Sequence, residues 1–161
     1  MKFAITGSTG MIGLALTNLL ISNNNEVIID LGVYRKMEAT AKDDYPCESC
    51  AVLLGEGSVV SDLGVMKNRA SDLISKRFYK ISPLDLYAIE EEIDDESQKI
   101  IGFFHTHTHC EAILSDEDKN YTIPEMFYVI LSLTDTSLNR IKAYKKETVS
   151  ERIMEYGVKI L

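Results

Sequence analysis

No apolar run in this sequence approaches the roughly 18–20 residues that a membrane-spanning helix needs. Basic residues are in short supply as well, with 17 lysines and arginines against 25 acids and a net charge of −8. A nucleic-acid partner calls for a basic surface to meet its phosphates, so this balance argues against one. It leaves open a protein partner that presents a basic patch. Three cysteines, an odd number, do not make a disulfide framework, and a reducing cytoplasmic setting is expected. The first residues could pass for a signal peptide, but Gly7, Ser8, Thr9 and Gly10 break the apolar stretch and no clean cleavage site follows Leu20. There is no internal repeat and no low-complexity tract.

What remains is an ordinary globular composition, 45% hydrophobic and 26% charged over 161 residues. A chain of that length forms one domain, or one with a short extension, and removes about two thirds of its surface from water. Residues 2–6 read as a strand. Gly7-Ser8-Thr9-Gly10-Met11-Ile12-Gly13 then opens an apolar helical stretch to Ile21, so residues 1–25 are expected to form a β-α extension on a main domain of 26–161. In the main domain, 26–30 reads as a strand, and Tyr34, Met37 and Ala41 keep helical spacing up to Pro46. Residues 51–54 and 100–104 are compact apolar runs, which suit buried strands. Between them, 56–80 declares no clear structure, while Ser82-Pro83-Leu84-Asp85 reads as a helix start continued by Leu86, Ile89 and Ile93. Residues 126–133 and 138–144 read as two neighbouring strands, and 149–161 as a last strand pair or an irregular strand. The expected fold class is α/β, a mixed sheet covered by helices.

All three histidines fall in His105-Thr106-His107-Thr108-His109. On a strand, residues two apart face one side, so His105 and His107 can offer imidazoles to one ion. Eight residues beyond His107, Ser115-Asp116-Glu117-Asp118 places an acid one helical turn after a hydroxyl. Two histidines and a carboxylate make three protein ligands and leave the fourth position of a tetrahedral zinc to water, as in catalytic sites. Each part also has a plainer reading. Ser115 and Asp118 spell a helix cap, and paired histidines on a solvated strand end are often only surface.

The pattern His105-x-His107, seven residues, Ser115-x-x-Asp118 resembles the metal motif of the JAMM (MPN, or Mov34-type) metallopeptidases. Upstream, Tyr45-Pro46-Cys47-Glu48-Ser49-Cys50-Ala51-Val52-Leu53-Leu54-Gly55 resembles that family's proline-x-glutamate segment leading into its first core strand. The likeness runs from Glu26 to Leu161. It implies the deaminase-like core of that family, Zn2+ held by His105, His107 and Asp118, Glu48 as general acid–base, and Ser115 as hydrogen-bond donor to the oxyanion. Within the family, Thr108, Glu111-Ala112, Asn68 and Phe78-Tyr79-Lys80-Ile81 are similar to bacterial peptidases acting on sulfur-carrier protein–cysteine adducts. The reaction so implied is hydrolysis of an amide bond after the Gly-Gly tail of a ubiquitin-like or sulfur-carrier partner. Thr108 and Leu114 stand where many members carry proline, and Ala51 where glycine is usual. The loop of residues 108–114 is therefore expected to have its own shape.

Other readings stay open. Cys47-Glu48-Ser49-Cys50 is a Cys-x-x-Cys that suits a structural zinc site completed by His105 and His107, or a redox pair, although zinc fingers space their histidines by roughly three to five residues. His109 and Cys110 are tempting extra ligands. Gly7-x-x-Gly10-x-x-Gly13, with Asp30 ending the second strand, resembles the start of an NAD-dependent epimerase, but no room remains for the further βα units of such a fold. A non-catalytic MPN scaffold is the last alternative; scaffolds of that kind typically lose metal ligands, which this chain keeps.

Overall fold

The computed structural model describes residues 25–71, 74–93, 98–135, 137–149 and 152–161. The strand expected at 2–6, the glycine segment and the helix expected to follow it lie outside the described residues. The first strand, β1 (Glu26–Ile29), ends at Asp30, which caps helix α1 (Leu31–Asp44). Its Oδ1 accepts from the backbone N–H of Gly32 at 2.7 Å and of Val33 at 3.3 Å. Those are donors the helix itself cannot satisfy. The acid that matched a ribose-binding position thus has a structural use. α1 buries Val33, Met37 and Ala41, a single stripe at four-residue spacing.

β2 (Cys50–Glu56) and β3 (Val59–Met66) pair antiparallel as a hairpin. After them come α2 (Pro83–Glu91), β4 (Lys99–His107), α3 (Asp116–Asn120), β5 (Phe127–Thr134), β6 (Ser137–Lys145) and β7 (Met154–Ile160). Ser82 precedes α2, with proline in its first turn, but the serine side chain makes no cap bond. The carboxy-terminal segment contributes one regular strand. Parallel pairing joins β1 to β3, β1 to β7 and β4 to β5, and the remaining neighbours are antiparallel. The expected mixed sheet also closes on itself, in the order β1-β3-β2-β4-β5-β6-β7 with β7 returning to β1. Among the described residues, closure leaves no free strand edge.

The inward residues of these strands make the main core: Val27 and Ile29, Leu53, Phe104, Val129 and Leu131, with Met37 inserted from α1. The alternate residues of β2, Cys50, Val52 and Leu54, face outward, where Leu86 and Ile89 of α2 cover them. Gly102 lets β4 and β5 meet closely there; a Cβ at that position would lie 2.2 Å from the carbonyl oxygen of Phe127. Among the described residues, no helix is long and apolar enough to cross a membrane.

Candidate metal centre

β4 is apolar through Phe104 and carries His105 and His107 at its end, both buried and two residues apart. They therefore share the outward face, opposite Phe104 and Thr106. Their Nε2 atoms lie 3.2 Å apart. The third member arrives on α3: Asp118 Oδ1 is 3.6 Å from His105 Nε2, and Oδ2 is 3.7 Å from His107 Nε2. One ligand atom from each of the three lies within 4.8 Å of the others. The carboxylate distances are too long for good hydrogen bonds. They are close to the roughly 3.3 Å edge of a tetrahedron with zinc–nitrogen bonds of about 2.0–2.1 Å.

The helix-cap reading of Ser115 and Asp118 holds, and the cap leaves the carboxylate turned toward the two imidazoles. Ser115 Oγ accepts from the Asp118 backbone N–H at 3.0 Å, while Asp118 Oδ2 accepts from the Ser115 N–H at 2.8 Å and from its hydroxyl at 2.6 Å. This capping box fixes the carboxylate so that it still faces the two imidazoles. Burial pushes the Asp118 carboxyl up, but the imidazoles and the Ser115 hydroxyl outweigh it and hold it well below the usual carboxylate range.

The two histidines are held differently. His107 Nδ1 lies 2.7 Å from the Glu111 carbonyl oxygen, which can only accept, so Nδ1 carries the hydrogen and Nε2 offers its lone pair inward. His105 is fully buried, and among the described residues its Nδ1 has no hydrogen-bond partner; the ring of Tyr79 stacks on it at 4.5 Å instead. Burial lowers the His105 pKa. For His107 burial acts in the same direction, but Asp118, the Glu111 carbonyl and Glu48 raise it overall. Two imidazole nitrogens and one carboxylate oxygen converging on one point suit a divalent cation of zinc type.

Glu48 stands just before β2, buried, and lines a cleft of about 300 Å³ together with His107, Ser115 and Asp118. Burial pushes its carboxyl up to about 7, against the pull of His107. Asn68 anchors its backbone: Nδ2 donates to the Glu48 carbonyl at 2.8 Å and to the Phe78 carbonyl at 3.0 Å. Its Oδ1 accepts from the N–H groups of Ala70 and Lys80. The segment carrying Phe78 and Tyr79 is thereby tied to the strand entry that presents Glu48. The resemblance named Tyr79 and Glu111 as family-like positions, but their contacts with the histidines, a stacked ring and a backbone carbonyl, have no signature in local sequence.

The remaining candidates lie elsewhere. β4 ends at His107, and His109 is exposed on the cleft wall, edge-on to Tyr45 with ring centroids 6.0 Å apart. Cys110 is exposed on the cleft rim. Neither belongs to the three-residue group. Cys47 Sγ contacts Ser75 Oγ at 3.2 Å, and Cys50 Sγ points to the Met66 carbonyl at 3.7 Å. Burial pushes the Cys50 thiol up to about 12, the reverse of what a redox pair needs.

Comparison with known proteins fits this arrangement. A curated relative from Mycobacterium tuberculosis, described as a CysO-cysteine peptidase, is 28% identical over 121 residues, or 74% of this chain and 82% of its own. A solution structure of a Desulfitobacterium hafniense protein superposes with a TM-score of 0.67 at 21% identity, covering 84% of this chain and 92% of that one. A JAB1/MPN domain protein from Archaeoglobus fulgidus does so with a TM-score of 0.56 at 18% identity, covering 84% and 99%. The family of prokaryotic homologs of the JAB domain matches residues 30–145, a span that contains Glu48, both histidines, Ser115 and Asp118. With the histidine pair and the capped aspartate both inside that match, the chain belongs to the prokaryotic branch of the JAB (JAMM/MPN) family.

Proposed function

We propose that this protein is a zinc-dependent peptidase of the JAMM type, which cleaves the amide bond after the Gly-Gly tail of a sulfur-carrier or other ubiquitin-like protein. The observation that carries the reading is the convergence of two imidazole nitrogens 3.2 Å apart on one carboxylate, with a buried acid beside them. His105, His107 and Asp118 hold the ion. When bound, zinc brings the pKa of a water ligand down to roughly 7 and polarises the carbonyl of the substrate.

The chain's own groups do the rest. The Glu48 carboxylate accepts a proton from the attacking water, whose oxygen joins the carbonyl carbon, and passes that proton to the amide nitrogen as the carbon–nitrogen bond breaks. Ser115 turns its hydroxyl from Asp118 to the developing oxyanion; one such donor is worth roughly 3–4 kcal/mol in other enzymes. The products are the carrier's terminal carboxylate and a free amine. An apolar groove of about 490 Å³, lined by Tyr79, Ile81, Phe103, Tyr121, Ile123 and Tyr128, opens beside Asp118 and can receive an extended tail. The likeness to a CysO-cysteine peptidase supports a carrier joined to cysteine as the substrate.

The test joins metal analysis to mass spectrometry. The purified protein should hold about one zinc per chain, and His107→Ala should lose it. A carrier–cysteine adduct should be hydrolysed by the parent, while Glu48→Gln keeps zinc and loses about 10²–10⁴-fold in turnover. Zinc retained by His107→Ala but lost on changing Cys47 and Cys50 together would overturn the ligand assignment. A Glu48→Gln enzyme as fast as the parent would overturn the mechanism.

A further inference from the structure

The outward face of the sheet has a second feature beyond the histidines. His107 pairs with Ser132 and Ser132 with Arg140; His105 pairs with Ile130 and Ile130 with Lys142. Directly opposed residues share a face, so two cations stand in the same rows as the two imidazoles, two strands or roughly 10 Å away. Beside the two cations lies a polar pocket of about 460 Å³, lined among others by Glu111, Ser132, Asn139, Arg140 and Lys142. His109 and Cys110 line both this pocket and the Glu48 cleft, so the two are contiguous.

The cations differ. Lys142 is neutralised by Glu155 at 2.9 Å. The Arg140 guanidinium has no acceptor among the described residues, in a chain whose net charge is −8. Along β4 the apolar groove lies at the level of Phe103, before the histidine pair, and the polar pocket lies at its far end, by His107. An amide bond held at the centre would thus have its acyl side in the groove and its amine side at the pocket.

Building on the peptidase reading above, we propose that Arg140 is a specificity anchor that binds the free α-carboxylate of an amino acid leaving group. A guanidinium offers a carboxylate two parallel, charge-assisted hydrogen bonds. A lysine side chain released from a folded protein brings no such carboxylate to that position. The pocket therefore selects carriers joined to a single free amino acid over carriers joined to another protein.

The experiment uses two peptides ending in Gly-Gly, one joined by an amide to cysteine and one to cysteinamide. The parent enzyme should prefer the free carboxylate at least tenfold in kcat/KM. Arg140→Ala should bring that ratio to within twofold of unity, and Arg140→Lys should restore part of it. A parent without preference, or an Arg140→Ala enzyme that keeps it, overturns the proposal. If neither peptide is cleaved, the peptidase reading fails by itself, and binding decides the anchor. S-methyl-L-cysteine, titrated against the 15N-labelled zinc-loaded protein, should shift the Arg140 side-chain resonance, and its carboxamide should not. Equal shifts from both, or none from either, overturn it.

Discussion

Phe104 and His105 are neighbours in the chain and belong to different regions of the molecule. Phe104 lies in the inward core with Leu53, Val129 and Met37. His105 faces outward to His107, Asp118 and the Tyr79 ring. The same alternation separates Thr106 from His107. One strand register therefore sets both the packing of the barrel and the position of the ligands, and a slip of one residue would exchange the two faces. A rigid, fully packed inner face is what lets two imidazoles meet on the outer one before any ion arrives.

If the faces are separable, emptying the inner one should cost stability and leave the site alone. Phe104→Ala should lower stability by about 3–5 kcal/mol through lost burial and a cavity. Denaturant unfolding measures that loss, while zinc per folded chain stays near one below the transition. A variant of near-parental stability that has lost its zinc would show that the separation is false.

The outer face should behave in the opposite sense, since its buried acid is a cost to the fold. Burial raises Glu48 from an ordinary value of 4.5 to about 7. The unfolded chain then gives up this proton first. Stability is lost as pH climbs from 4.5 towards 7, and the whole penalty remains above that. At about 1.4 kcal/mol per pH unit it is on the order of 3 kcal/mol. Metal-free Glu48→Gln should therefore melt roughly 6–12 °C above the metal-free parent at pH 8. At pH 4, where the acid is neutral in both states, the difference should vanish. Equal melting at pH 8 would remove Glu48 from the buried side of the cleft.

The outer face was the more legible of the two. The resemblance to the JAMM metallopeptidases is what joined His105-x-His107 and Ser115-x-x-Asp118 into one expected ligand set, but each is a local pattern, legible as a strand parity or a helix cap. The stripe of α1 and the β5–β6 pair were legible for the same reason. β3 was not, because its buried residues, Val60, Leu63 and Met66, are interrupted by exposed positions in a half-covered strand. Nor could local periodicity reveal the closure of β7 on β1, or the row His107–Ser132–Arg140, since both depend on pairing between distant segments. Asp30 was ambiguous for a different reason: an acid after a strand serves a helix cap as readily as a ribose.

The smallest effect falls on the one polar residue that β4 turns inward beside the site. Thr106 Oγ1 accepts from the buried Ser49 N–H at 2.8 Å, and the Thr106 N–H donates to the Ser49 carbonyl at 3.1 Å. Ser49 directly follows Glu48, so this pair fastens the acid to the strand that carries the ligands. Thr106→Val keeps shape and branching, removes the acceptor and leaves a buried N–H unpaired, at a cost of about 1–2 kcal/mol. Thr106→Ser retains the hydroxyl and should recover most of that loss. With its anchor loosened, Glu48 should act less well on the attacking water, so kcat should fall a few-fold in the valine variant while KM and zinc content hold. A valine variant with parental stability would mean that the Ser49 N–H finds another acceptor. A serine variant as slow as the valine one would mean that the methyl group, not the hydroxyl, positions the acid.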